Sequence, residues 1–321
     1  LVEMSNGCIC CTLRDDLLRE VRRLAEEDRF DYLLIESTGI AEPLPVAATF
    51  EFRDEEGASL SDIARLDTMV TVVDAVNLLR DYSSTDFLRD RGEATGEDDE
   101  RALVDLLVEQ IEFADVIILN KVSSASPAQI EAARQIIFSL NADADVIEAD
   151  QGVVPCGRIL DTHRFDYEKA HKHPLWYKEL FEFRSHVPET EQYGIHSFVW
   201  RARRPLVPER FKAFIDRSWP GVVRSKGHFW LATRPDWVGE LGQAGALVRT
   251  QAAGRWWVTV PESWWPDSDE GKDRILSNWD AVYGDRRQEI VFIGTSEMDR
   301  DAIVSALNAC LAPDFGTGLF D

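Results

Sequence analysis

Apolar residues recur at helical spacing over residues 13–25, as Leu13, Leu17, Leu18, Val21, Leu24 and Ala25, with charged residues between them. That period predicts an amphipathic helix with one buried stripe. Three short, nearly continuous apolar runs follow: Tyr32-Leu33-Leu34-Ile35, Met69-Val70-Thr71-Val72-Val73 and Val116-Ile117-Ile118-Leu119. Runs of this length and β-rich composition suit parallel strands covered on both faces. A second helical pattern lies between the last two, around Leu103, Leu106, Leu107, Val108 and Ile111. Ser126-Pro127-Ala128-Gln129 then reads as a capping box with proline at the first helical position. It opens a helix predicted to reach about Leu140, before a further strand near Val146-Ile147. Helix and strand signals alternate as βαβα, which predicts an α/β fold with a doubly wound, mostly parallel sheet.

The pattern changes near residue 175. All ten tryptophans lie at Trp176 or later. Residues 161–191 carry His163, His171, His173 and His186 and read as a connector between domains at 1–160 and 192–321. The second half predicts strands at Ile195–Arg201, Phe229–Ala232, Arg255–Val260 and Ile290–Gly294, with helices at Pro208–Ser218 and Asp299–Leu311. This order suggests a smaller α+β domain of ferredoxin-like type, with most of the tryptophans in its core.

Composition narrows the function classes. A net charge of −23 argues against nucleic acid or an anionic membrane as the main partner. No run of about 18 apolar residues is present, so no transmembrane helix is expected. Ten acidic residues against three arginines between Asp86 and Glu112 read as a solvated face, with an insertion loop at 92–100. Of five cysteines, three fall within four positions, Cys8, Cys10 and Cys11. That is not a disulfide framework; it reads as a reduced, cytoplasmic thiol site.

Cys8-Ile9-Cys10-Cys11 follows Asn6-Gly7 and precedes a helix start. Adjacent strand residues point to opposite faces, so the three sulfurs converge only if the backbone turns there. A helix N-terminus lowers thiol pKa values and favours the thiolate that metals need. Three thiolates leave a fourth tetrahedral position open, and soft ligands select zinc or cuprous ion. Metal binding, thiol redox chemistry and the packing of small buried residues all suit the spacing, and metal binding suits it best. Cys156 and Cys310 stand alone and read as structural.

Two signals suggest a nucleotide. Leu33–Ile35 runs into Glu36-Ser37-Thr38-Gly39, and a carboxylate at a strand end before a glycine turn is where Mg²⁺ and a γ-phosphate are organised. Asn120-Lys121-Val122-Ser123 closes the third run and resembles the Asn-Lys-x-Asp guanine-reading motif of GTPases. Ser123 replaces the aspartate, and a hydroxyl cannot match a carboxylate's paired acceptors. No Gly-x-x-x-x-Gly-Lys-[Ser/Thr] occurs in the 321 residues; Gly271-Lys272 is followed by Asp273.

Together, Gly7-Cys8-Ile9-Cys10-Cys11, Glu36-Ser37-Thr38-Gly39, Ala41-Glu42-Pro43, Val72-Val73-Asp74-Ala75 and Asn120-Lys121 resemble the CobW-type metallochaperone GTPases. Arg224-Ser225-Lys226-Gly227, Gly254-Arg255-Trp256-Trp257 and Gly284-Asp285-Arg286-Arg287-Gln288-Glu289 resemble that family's C-terminal domain and its zinc-related branch. The resemblance implies a P-loop GTPase-like fold whose phosphate loop precedes the cysteine motif, so an N-terminally truncated first domain is expected. It also implies Zn²⁺ on Cys8, Cys10 and Cys11 and Mg²⁺ with the γ-phosphate sensed by Glu36. GTP would be held by Gly39, Asn120, Lys121 and Ser123, and hydrolysis coupled to delivery of the ion to a client apoprotein. The alternative is a non-enzymatic zinc-binding or partner-docking protein with a vestigial nucleotide site.

Overall fold

A computed structural model describes residues 14–27, 29–37, 39, 41–51, 53, 59–91, 101–166 and 194–313. The cysteine run at 8–11, the acidic tip at 92–100 and His171, His173 and His186 lie outside these residues. The chain divides into two compact units, residues 1–175 and 176–321.

The first unit is built on three parallel strands in the order β1 (Val70–Asp74), β2 (Val116–Asn120) and β3 (Asp145–Glu148). Register pairs Asp74 with Asn120 and Leu119 with Glu148, so the three strands end together at one edge. β2 is central, and Val116–Leu119 are buried on both faces, as a continuous apolar run requires. The helices of this unit, in chain order, are α1 (Arg14–Glu26), α2 (Pro43–Glu51), α3 (Leu78–Tyr82), α4 (Leu103–Glu112) and α5 (Pro127–Leu140). α4 joins β1 to β2 and α5 joins β2 to β3. Both crossovers step the same way, so right-handed connections place these two helices on one face. α4 turns Val104, Leu106, Val108 and Ile111 inward. α5 opens with the expected capping box, in which Ser126 Oγ accepts from Gln129 N and Gln129 Oε1 accepts from Ser126 N. Buried Asn141 ties the two helix ends, its Nδ2 donating to Ile111 O at 3.0 Å and Ala114 O at 2.8 Å. Apart from the sheet, Leu17 and Val21 of α1 pack with Phe50 and Leu60, and Ile35 lies against them.

One expected strand is absent. Residues 32–37 carry no strand pairing, and Leu34 is 75% exposed. Instead the Tyr32 hydroxyl donates to Asp67 Oδ2 at 2.8 Å. An apolar run becomes a strand only when another backbone lies alongside to share its amides and carbonyls. Among the described residues the sheet ends at β1.

The second unit carries an entirely antiparallel sheet of β4 (Ile195–Ala202), β5 (Val222–Leu231), β6 (Arg234–Ala244), β7 (Leu247–Arg255) and β8 (Gln288–Thr295), with α6 (Pro208–Ile215), α7 (Asp269–Leu276) and α8 (Arg300–Cys310). Its order is β4-β8-β5-β6-β7. β4 and β5 run the same way with β8 between them, the split βαβ found in ferredoxin-like sheets. Here, however, the inserted strand is the last one, and β6 and β7 extend the sheet beyond β5. α6 and α8 contact one another, and their apolar faces join Phe198, Trp200, Phe229 and Phe292 in one core. Gly227 has φ +154°, and a Cβ there would lie 2.1 Å from Glu289 O, so β5 and β8 approach closely only because the residue is glycine.

Two expectations in this unit change. Residues 256–260 are not strand: Trp257 N and Val258 N donate to the Asp285 carboxylate at 3.0 and 2.9 Å, and a side chain takes the amides a ladder would need. Nor, among the described residues, are most tryptophans core residues. Trp200, Trp230 and Trp256 are buried, whereas Trp237, Trp264 and Trp279 are exposed. Trp257, Trp265 and Trp279 pack ring against ring instead, with centroids 6.4 and 5.7 Å apart.

Candidate functional site

The carboxyl edge of the parallel sheet gathers polar groups that are far apart in sequence. Asp74 ends β1 and Asn120 ends β2, paired in register. Asp74 closes a local turn, its Oδ1 accepting from Val76 N at 2.9 Å and its Oδ2 from Asn77 Nδ2 at 2.7 Å. Lys121 adopts the left-handed conformation, φ +63°. For a residue with a Cβ this costs about 1–2 kcal/mol. From there Lys121 Nζ reaches Asp74 Oδ2 at 2.8 Å. Partial burial pushes the Asp74 carboxyl up, but the bonds from Lys121, Asn77 and Val76 outweigh it and hold the group below the usual carboxylate range. Lys121 is half exposed, so the pair contributes no more than about 1 kcal/mol to stability.

The loop after β3 joins the same group. Ala149 N donates to Leu119 O at 2.9 Å, Val122 N to Ala149 O at 3.3 Å, and Gly152 N to Asn120 Oδ1 at 3.0 Å. Ser123 donates twice to Asp150 Oδ1, from its backbone N at 3.0 Å and from Oγ at 2.9 Å. Gln129 of α5 donates to Val76 O at 3.0 Å, fastening the turn after β1 to the helix after β2.

The structure therefore brings Asn120, Lys121 and Ser123 together. It adds Asp74 and Asp150, neither of which the motif spacing singles out as site residues. Asp74 stands in the Val72-Val73-Asp74-Ala75 stretch as the last residue of β1, whereas the only linear signal of Asp150 is its position just past the apolar strand β3. Glu36 is exposed, and Gly39 O accepts from Gln110 Nε2 at 2.9 Å. Gln110 also donates to Ala41 O at 3.0 Å, and Arg101 pairs with Glu42 at 3.2 Å, so the ends of the 39–42 turn are held to α4 and the residue leading into it. Among the described residues no hydrogen bond joins Glu36 or Gly39 to the Asp74–Lys121 group. Cys8, Cys10 and Cys11 fall outside the described residues.

A second cluster of metal-type ligands comprises Asp67, Asp161 and His163, with ligand atoms within 4.8 Å of one another. Hydrogen bonds account for Asp67. Its carboxylate accepts from Tyr32 Oη, Thr68 Oγ1, Thr162 N and His163 N, while His163 Nδ1 bonds to Arg65. Burial opposes ionisation of Asp67, yet these donors hold its pKa far below the usual range.

In open α/β sheets, ligands bind outside the carboxyl ends of the strands. A parallel sheet with Asn120, Lys121, Asp74 and Asp150 at that edge defines an α/β protein of the nucleotide-binding class, followed by an antiparallel α+β unit. The CobW/HypB/UreG nucleotide-binding domain matches residues 1–148, and the cobalamin synthesis protein cobW C-terminal domain matches residues 195–311. The chain belongs to the CobW family. It is 46% identical over 318 residues to a zinc-regulated GTPase metalloprotein activator of Dictyostelium discoideum, covering 98% of this chain and 66% of that protein. It thus spans about two thirds of that relative's length. A zinc chaperone of Mycobacterium tuberculosis is 28% identical over 323 residues, covering 98% of this chain and 75% of its own. Among solved structures, zinc-bound YjiA GTPase from E. coli aligns over 96% of this chain and 79% of its own, with 20% identity and a TM-score of 0.38. No helix among the described residues is long and apolar enough to cross a membrane.

Proposed function

We propose that this chain binds guanine nucleotide and zinc, and couples the two in delivering zinc to client apoproteins. The observation that carries the reading is the Asp74–Lys121 pair beside Asn120 at the carboxyl edge of the parallel sheet. The names of the relatives, a zinc-regulated GTPase metalloprotein activator and a zinc chaperone, point to the same chemistry. On this reading Asn120, Lys121 and Ser123 take the base. Glu36 and Gly39 face the phosphates and Mg²⁺, and Cys8, Cys10 and Cys11 hold zinc as cargo. α1 lies between the cysteine run and Glu36 in sequence and packs through Leu17 and Val21 against Phe50 and Leu60. Nucleotide turnover at the 36–39 turn would therefore reach the thiols through a packed helix.

Zinc competition against a chromophoric chelator, with and without GTP and Mg²⁺, tests the reading. One zinc per chain is expected, lost in Cys8→Ser and Cys10→Ser, with an affinity that nucleotide changes about five-fold or more. Zinc uptake indifferent to both cysteine substitutions would sink it. A second reading, a zinc-binding protein without turnover, is favoured by Ser123 standing where the Asn-Lys-x-Asp motif has its aspartate. Zinc uptake that needs the cysteines, together with no binding of any nucleotide, decides for it.

A further inference from the structure

Resting on the nucleotide reading above, we propose that Asp150, clamped by Ser123, supplies the carboxylate that reads guanine. Position 123, where the motif's aspartate would stand, holds only a hydroxyl, and that hydroxyl is already used as a donor to Asp150 Oδ1 at 2.9 Å. The backbone N of Ser123 donates to the same oxygen at 3.0 Å. Two donors from one residue fix the orientation of the Asp150 carboxylate, and Oδ2 accepts no hydrogen bond from any described residue. The loop carrying Asp150 is bound to the motif on both sides, at Ala149 by Val122 N and at Gly152 by Asn120 Oδ1. Gln151 and Gly152 turn this loop through the left-handed region, φ +52° and +69°, directly beyond Asp150. The carboxylate that is missing from the linear motif is thus present beside it in space, contributed by the loop that follows the neighbouring strand β3.

The chemistry of the bases makes this a specificity device. The guanine edge presents two donors, N1–H and the N2 amine, which match the two acceptor oxygens of one carboxylate. Adenine presents a lone pair at N1 and would meet a carboxylate with repulsion. A site built to accept two donors rejects a base that lacks them far more strongly than an apolar pocket would. Xanthine carries a carbonyl oxygen at C2 in place of the amine. It suits an amide at position 150, whose oxygen takes N1–H and whose NH₂ donates to the C2 oxygen.

Titrations of the chain with fluorescent mant-GTP, mant-ATP and mant-XTP, each with Mg²⁺, test the assignment. The unaltered chain is expected to prefer GTP to ATP. Asp150→Asn is expected to lose GTP affinity by about 10- to 100-fold and to gain affinity for XTP, since a neutral amide replaces the charged acceptor of two hydrogen bonds and sets its NH₂ against a guanine donor. Ser123→Ala should weaken GTP by about 3- to 10-fold without the gain for XTP, because it removes one of the two donors that orient the carboxylate but leaves its chemistry intact. A merely structural Asp150 would lower affinity for all three nucleotides together and would give no gain for XTP. GTP binding with unchanged base preference in a folded Asp150→Asn chain overturns the assignment alone. Failure of the unaltered chain to bind any of the three overturns the nucleotide reading, and this assignment with it.

Discussion

Replacing Asp67 by asparagine should destabilise the first unit in a way that depends on pH. Asp67 is 7% exposed, and its Oδ2 takes hydrogen bonds from Tyr32 Oη at 2.8 Å, Thr68 Oγ1 at 2.8 Å and Thr162 N at 3.1 Å, while Oδ1 takes His163 N at 2.8 Å. One carboxylate therefore holds together the 32–37 segment, the approach to β1 and the loop at 161–165. Asparagine can keep its oxygen toward the three donors at the Oδ2 position, but its NH₂ then faces His163 N. One charge-assisted bond is lost and a buried amide is left opposed to another donor, costing about 2–3 kcal/mol. The sign of the pH effect follows from the depressed pKa of Asp67. Its stabilisation is fully present above the unfolded carboxylate value, about 3.9, and is lost as pH falls from there toward the folded value. Urea unfolding, followed by near-ultraviolet circular dichroism, should show Asp67→Asn about 2–3 kcal/mol less stable at pH 7. The gap should narrow as pH drops below about 4. A gap below about 0.5 kcal/mol at pH 7, or one that stays constant to pH 3, would refute the reasoning.

Two further outcomes concern the second unit. Gly227→Ala should destabilise it by about 2 kcal/mol or more, because the added methyl must displace the β8 backbone at Glu289 O rather than a movable side chain. A thermal midpoint unchanged from the unaltered chain would contradict the close approach of β5 and β8. His228 is partly buried on β5, where burial first and then Arg287 push its pKa down, partly opposed by Glu240 and Glu289. Folded His228 therefore resists a proton that the unfolded chain accepts near pH 6.5, and stability should fall by up to about 1.4 kcal/mol per pH unit below that point. His228→Gln should flatten the stability profile between pH 6.5 and 5, and an equally steep profile in the variant would assign the effect to another group.

What could be read in the sequence depended on how local its physical cause was. The capping box at Ser126–Gln129 was legible because both partners lie within one helical turn, and β2 because a strand covered on both faces is apolar at every position. Asn120-Lys121 was legible because the motif is contiguous. The failures share the opposite property. Tyr32–Ile35 has a strand's composition, but strand formation needs a second backbone alongside, which no apolar run can report. The 256–260 segment has β-rich residues, yet Asp285, more than twenty positions away, takes its amides. Ser123 is the sharpest case. Read along the chain it is a motif with its essential carboxylate removed, and that alone argues against a base-reading site. In the fold the parallel register of β2 and β3 carries Asp150 to the same place, and Ser123 becomes the residue that orients it. Serine at 123 and aspartate at 150 therefore have to be judged as a pair. A test that alters only position 123, by restoring aspartate there, would set two carboxylates against each other and would lower the affinity it was meant to raise.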